Sequence, residues 1–164
     1  MLEDIIKKYR RFSRGYAADP PAFVHPNILV GPGVFLTPGF VSRCNINCVI
    51  NCVGDIETPA WIRVSPEIRY ACIPMLDDPK YPILEKHYTE FQTLMDYCMR
   101  HPRTQIIYVH CQAGINRSAT MALAYVCKRF RFPLYRAVEN MARQRPCILM
   151  NLGFQNQLEN FVVS

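Results

Sequence analysis

Residues 104–130 read TQIIYVHCQAGINRSATMALAYVCKRF, three kinds of sequence in succession. Thr104–His110 is short, apolar and β-branched, as a buried strand is. Ser118–Phe130 reads as a helix. Between them run Cys111 to Arg117, with one glycine. A strand feeding a tight loop and then a helix N-terminus gathers unpaired backbone N–H groups and the positive end of a helix dipole on one point. That is a ready-made anion site. Gly114 supplies the backbone freedom needed to wrap a ligand. Arg117, at the mouth of the helix, carries a planar fork of donors that fits two oxygens of an oxyanion.

Cys111 stands at the start of this cradle. The N–H groups that would bind an anion also favour a thiolate, which makes Cys111 a candidate nucleophile. Ser118, directly after the arginine, can donate its hydroxyl to that sulfur and ease its departure when a covalent intermediate breaks down. Gln112, Ala113, Gly114, Ile115, Asn116 and Arg117 are then the candidate substrate-binding residues. The run His-Cys-x5-Arg-Ser resembles the signature of the cysteine-dependent protein tyrosine phosphatases, and HCQAGINRS is similar to that of the dual-specificity members. The likeness extends over Asn27–Asn51 and over MNLGFQNQL, residues 150–158, where Met150 takes a place often held by proline. The short length, the Asn-Arg-Ser ending and the paired acids resemble the compact poxvirus type.

That resemblance implies a phosphocysteine mechanism with no metal or other cofactor. It also implies a general acid on a loop between a strand and a long helix. The matching segment is Ile73-Pro74-Met75-Leu76-Asp77-Asp78. Asp77 falls in the acid's place; Asp78 is the alternative, and the one not used serves turn chemistry ahead of Pro79. His110 is expected to orient the loop from behind, and Asn151 to act structurally beneath the site. Cys52 matches a position where some relatives carry a thiol that pairs reversibly with the nucleophile, while core packing explains a buried cysteine equally well.

Working outward, the fold expectation is an α/β domain: a central, mostly parallel twisted sheet flanked by helices, protein tyrosine phosphatase-like, with an extra N-terminal helix. Short apolar runs at Ile28–Val30 and Val34–Leu36 read as strand, turn, strand. Asn47–Val53 and Ile68–Met75 read as strands, and Gly54–Pro66 as a loop. Ile83–Arg100, Leu134–Arg145 and Phe154–Val162 have helical spacing. Leu2, Ile5, Ile6, Tyr9 and Phe12 line one face of a helix expected over the first 16 residues and stopped by Asp19-Pro20-Pro21. The division expected is residues 1–18 as an amphipathic helix and 19–164 as the catalytic domain. The helix's apolar stripe packs on its own domain or forms a homodimer with a second copy.

The chain has 164 residues and a formal charge of +6, which suits one domain and anionic partners. Five of the cations (Lys7, Lys8, Arg10, Arg11 and Arg14) sit in the first 14 residues, where a solvated helix face accounts for them. No apolar run approaches the length of a membrane span, and the N-terminus lacks a secretory pattern, so a cytoplasmic or nuclear location is expected. Eight cysteines without a Cys-x2-Cys pair argue for free thiols and against zinc. Phosphorylated proteins are the expected substrates. RNA 5′-phosphatases share the scaffold and an Asn before the Arg, but Gln112, Ala113 and Ser118 depart from their pattern. Phosphoinositide-type members favour basic residues inside a loop that here is uncharged before Arg117. A phospho-binding module without turnover would usually lose the Cys, the Arg or the acid, and all three are present.

Overall fold

In the computed structural model, which describes residues 1–163, the strand expected at 104–110 is β5 (Ile106–Cys111). It occupies the centre of a five-stranded sheet ordered β1 (Ala22–His25), β2 (Ile28–Pro32), β5, β3 (Ile46–Asn51), β4 (Arg69–Cys72). β2, β5, β3 and β4 are mutually parallel, and β1 pairs antiparallel with β2 at one edge. The register sets Pro32 beside Cys111 and Asn51 beside His110, so the carboxyl ends of three strands meet at one place. Open parallel sheets bind their ligands at that end.

Both faces of the sheet are covered, as parallel sheets require. Ile107, Val109 and Cys111 join the main core under α1 (Leu2–Arg10), α4 (Ile83–Arg100), α5 (Arg117–Arg129), α6 (Leu134–Gln144) and α7 (Leu152–Val163). Tyr108, one residue out of phase, joins Leu29, Leu36, Val41 and Ile62 on the other face, beside α2 (Pro38–Arg43) and α3 (Ala60–Arg63). Every residue of α5 from Ser118 to Cys127 is buried, which explains why that helix shows no polar face in sequence.

Four expectations are corrected. Val34–Leu36 is not a strand: the chain leaves the sheet at Pro32, and Gly33–Phe35 form a 3-10 turn closed by Leu36 N–H donating to Gly33 O at 3.0 Å. The antiparallel partner of β2 lies upstream instead, at Ala22–His25, where Ala22 and Val24 point inward in the alternation of a strand. The segment read as a loop at 54–66 contains α3. The first helix ends at Arg10, well before Asp19. Beyond it the Asp19 carboxylate accepts from Ser13 Oγ at 2.6 Å and from Arg14 N–H at 2.7 Å, folding residues 13–19 into a turn, with Gly15 at φ +105°.

α1 lies on its own domain. Leu2 and Ile6 are buried in the main core, and the helix packs on α6 and α7. Each such side chain contributes about 1.5–3 kcal/mol of burial. Glu3 and Asp4 at its start and Lys7, Lys8 and Arg10 at its end complement the helix dipole.

Candidate active site

β5 delivers Cys111 as its last residue, and α5 starts at Arg117. The loop between them can turn this tightly because Gly114 has φ +64° and sits hard against β2. A Cβ there would lie 2.4 Å from Gly31 C and Pro32 N. Cys111 is buried, and its Sγ lies 3.2 Å from the Ser118 hydroxyl. That hydroxyl, itself fully buried, has the sulfur within reach of its proton. The two residues are brought together because Ser118 is the second residue of α5 and faces back over the end of β5.

Five of the loop's carbonyls are hydrogen-bonded to residues outside Cys111–Arg117. Ile115 O accepts from Leu149 N–H at 2.8 Å, and Asn116 O from Thr120 Oγ1 at 2.6 Å. Ala113 O and Gly114 O accept from Arg145 Nη2 and Nε at 2.7 and 2.9 Å. Cys111 O accepts from His110 Nδ1 at 3.1 Å. Carbonyls held outward leave the N–H groups free to converge inward.

His110 is wholly buried, and burial pushes its imidazole down to about 4, so it is neutral near pH 7. Its Nδ1 carries the proton, because a carbonyl can only accept, and its Nε2 then accepts from Thr58 Oγ1 at 2.8 Å. Thr58 Oγ1 in turn accepts from Asn51 Nδ2 at 2.9 Å. Asn51, the end of β3, also holds Val53 N–H and Gly54 N–H on its Oδ1. His110 is thereby tied both to the first carbonyl of the loop and to Thr58. Asn51 and Thr58, which the sequence reading passed over, anchor it. Their only sequence signal is polarity at positions where a buried strand end and its loop are otherwise apolar.

Arg117 donates from Nη1 to Met75 O at 3.2 Å, which ties the helix start to the 73–78 segment. Among the described residues its Nε is buried and has no acceptor. A buried guanidinium donor not used by the protein has the charge and geometry to bind an oxyanion oxygen.

The two aspartates separate by their partners. Asp77 Oδ2 accepts from Asn116 Nδ2 and its Oδ1 from Asn151 Nδ2, both at 2.9 Å, so this carboxylate is held at the edge of the cradle. Asp78 turns away: its Oδ1 accepts from Lys80 N–H at 2.8 Å and its backbone carbonyl from Tyr81 N–H at 2.9 Å, closing a turn. Asn151 is more than a support from below. Its Oδ1 caps α7 by accepting from Phe154 N–H at 3.1 Å, its N–H donates to Asn116 Oδ1 at 3.0 Å, and its amide reaches the acid. Gly153, the second residue of the same helix, lets the loop carrying Asp77 and Asp78 approach: a Cβ there would lie 1.8 Å from Pro79 O. Leu149 takes φ +52° just ahead of exposed Met150.

Cys52 lies beyond the last paired residue of β3, with its N–H donating to His110 O at 2.8 Å. It is fully buried in the same core as Cys111. Burial pushes its thiol well up, and Cys111 adds to that. Gln112 and Asp77 are exposed, while Cys111 between them and the core is buried. All eight cysteines are unpaired.

Comparison with known proteins agrees with this geometry. Residues 32–163 match the family model of the dual specificity phosphatase catalytic domain. Dual specificity protein phosphatase 14 of Mus musculus is 34% identical over 116 residues, 71% of this chain and 55% of that protein. The Homo sapiens protein of the same name is 28% identical over 166 residues, 91% of this chain and 80% of that protein. The chain thus spans little more than half of the mouse relative along the matched stretch. The crystal structure of DUSP15 superposes with a TM-score of 0.74 at 27% identity, covering 88% of each chain.

Proposed function

The chain belongs to the dual specificity phosphatases, a family of protein phosphatases, and from that premise we propose how it acts: it hydrolyses phosphotyrosine and phosphoserine or phosphothreonine in proteins through a phosphocysteine on Cys111. The observation that carries this reading is that the Cys111–Ser118 segment and an aspartate 39 positions upstream of Asn116 are hydrogen-bonded into one site. Its parts are Cys111 Sγ with Ser118 at 3.2 Å, the unpartnered Nε of Arg117, and Asp77 tied to Asn116 at 2.9 Å.

In the proposed sequence the Cys111 thiolate attacks phosphorus opposite the ester oxygen. The S–P bond forms as the P–O bond breaks, and Asp77 gives its proton to the leaving oxygen. Loop N–H groups and the Arg117 fork hold the three equatorial oxygens, where charge is greatest in the transition state. Asp77 then takes a proton from water, which attacks phosphorus and expels the thiolate. Ser118 donates to the departing sulfur. No residue of this route needs a metal.

The test is phosphate release, in reductant and without added metal, from matched phosphotyrosine and phosphothreonine peptides and from 5′-triphosphate RNA. Turnover of both peptides, lost in Cys111→Ser, is expected. Turnover of RNA alone would overturn the protein-substrate reading, and peptide binding without turnover would make the chain a recognition module.

Among the described residues no helix is long and apolar enough to cross a membrane. Unpaired thiols support a reducing compartment, cytoplasmic or nuclear. A homodimer through α1 would have to exchange that helix between copies, because Leu2 and Ile6 already fill their own core. Light scattering reads this directly: twice the monomer mass supports exchange, and the monomer mass removes it.

A further inference from the structure

Arg145 is the largest fully buried side chain, and the reaction scheme does not use it. A buried guanidinium is costly unless every donor is satisfied. Here the partners are all backbone carbonyls, and they fall into two groups. On one side lie Ala113 O and Gly114 O, at 2.7 Å from Nη2 and 2.9 Å from Nε. On the other lie Tyr16 O at 2.8 Å from Nη2, and Asp19 O and Pro20 O at 2.7 and 3.3 Å from Nη1. One planar cation thus bridges the middle of the cradle to a segment more than ninety residues away in sequence.

We infer that Arg145 is a positioning residue for the phosphate cradle and that residues 13–20 are the anchor against which it holds the loop. The inference rests on reading 111–117 as that cradle. With Ala113 O and Gly114 O pulled outward, the adjacent peptide planes must present their N–H groups to the other side, where the phosphate oxygens sit. Gly114 alone does not secure this, since a glycine at φ +64° permits the turn without enforcing it.

The anchor is itself built to resist displacement. Asp19 is buried, and its carboxylate ties Ser13 and Arg14 into the turn at 2.6 and 2.7 Å. Burial pushes that carboxyl up, but hydrogen bonds from Cys147, Ser13 and Arg14 and the nearby charge of Arg145 outweigh it and hold it ionised. The anion and the cation stabilise each other through the turn they share. Residues 13–20 lie outside the 32–163 match to the family model, so a segment ahead of the matched residues helps to shape the loop.

The experiment uses the full chain, Arg145→Lys, Asp19→Ala, the double variant, and Arg143→Lys as a control on an exposed arginine at the end of α6, two residues before Arg145. Each is assayed well below its melting temperature for kcat and KM on a phosphotyrosine peptide, and for binding of inorganic phosphate by calorimetry. A lysine keeps the charge and loses the fork, so Arg145→Lys is expected to lower kcat about ten- to a hundredfold, with a smaller rise in KM and weaker phosphate binding. Asp19→Ala is expected to lower kcat about three- to tenfold, and the double variant to fall no further than Arg145→Lys alone. A folded Arg145→Lys with unchanged kcat and phosphate affinity would overturn the inference. Losses that multiply in the double variant would overturn the anchor role of residues 13–20. Full-chain protein that binds no phosphate would overturn the cradle reading itself, along with everything resting on it.

Discussion

Asn116 donates from Nδ2 to Asp77 Oδ2 at 2.9 Å, joining the residue before the cradle arginine to the loop that carries the acid. The bond spans 39 positions of sequence and sets Asp77 apart from Asp78, whose carboxylate binds Lys80 N–H instead. Asp77→Asn is expected to lower kcat by about a hundredfold on phosphothreonine peptides and to abolish the basic limb of the pH–rate profile. Asp78→Asn should stay within about threefold of the parent, since its carboxylate only closes a turn on Lys80. Steady-state kinetics across pH 5–8 on both variants decides it, and loss of the basic limb in Asp78→Asn alone would reverse the assignment.

Ser118 tests the second half of the reaction. Its hydroxyl, 3.2 Å from Cys111 Sγ, assists the sulfur as a leaving group. A hydrogen bond to a charged group contributes about 1.5–3 kcal/mol, so Ser118→Ala should slow breakdown of the phosphoenzyme about ten- to a hundredfold. Rapid-quench measurement is expected to show a burst of product followed by slow turnover. Slow turnover without a burst would place the serine in the first step instead.

His110 gives the fold a pH dependence of definite sign. Its folded value is about 4, against about 6.5 in the unfolded chain, because burial disfavours the imidazolium. Below pH 6.5 the unfolded state takes up a proton that the folded state refuses. Stability therefore falls as pH drops from about 6.5 to about 4, by a total of about 3 kcal/mol, and this contribution is flat above and below that window. Urea midpoints for the parent and His110→Gln should converge toward pH 4. Parallel curves would show that His110 is not the group responsible.

Gly153→Ala should damage catalysis from outside the cradle. The added Cβ would lie 1.8 Å from Pro79 O, so either α7 or the acid loop must move. A loss of about 1–3 kcal/mol of stability is expected, with kcat reduced more than tenfold and phosphate binding nearly unchanged. Calorimetric phosphate titration separates the two sites, and a parallel loss of phosphate affinity would show that the cradle had moved as well.

Cys52 and Cys111 close adjacent strands and share one buried environment. Peroxide is expected to convert Cys111 to the sulfenic acid, which Cys52 displaces with loss of water to form a disulfide that thiol reductants reverse. Cys52→Ala should then lose activity irreversibly under the same dose. Peptide mapping that finds overoxidised Cys111 with Cys52 still reduced would leave Cys52 as core packing only.

How much of this was legible beforehand depended on how local the signal was. The strand, loop and helix at 104–130 could be read directly, because the apolar run and the helical spacing are properties of consecutive residues. The helix at Ile83–Arg100 was legible to the residue, since its apolar spacing starts and stops within one segment. β1 was missed because four residues behind two prolines carry too little pattern, and they become a strand only by pairing with β2. Val34–Leu36 looked like a strand because its residues are apolar, yet only Leu36 reaches a core, while Val34 stands exposed on the 3-10 turn.

The same division holds at the site. The amino-acid sequence by itself determined that Cys111, Arg117 and Ser118 come together, because they stand at fixed offsets on one loop and helix start, where spacing dictates geometry. Only the tertiary structure decided which aspartate faces them, and that Asn151, Thr58 and Arg145 hold the parts in place. Those contacts bridge 74, 52 and 31 residues, from Asn151 to Asp77, from Thr58 to His110 and from Arg145 to Gly114. A hydrogen bond at such separation leaves no periodic trace in the chain. It exists only because a parallel sheet brings the ends of its strands, and the loops that follow them, to one edge.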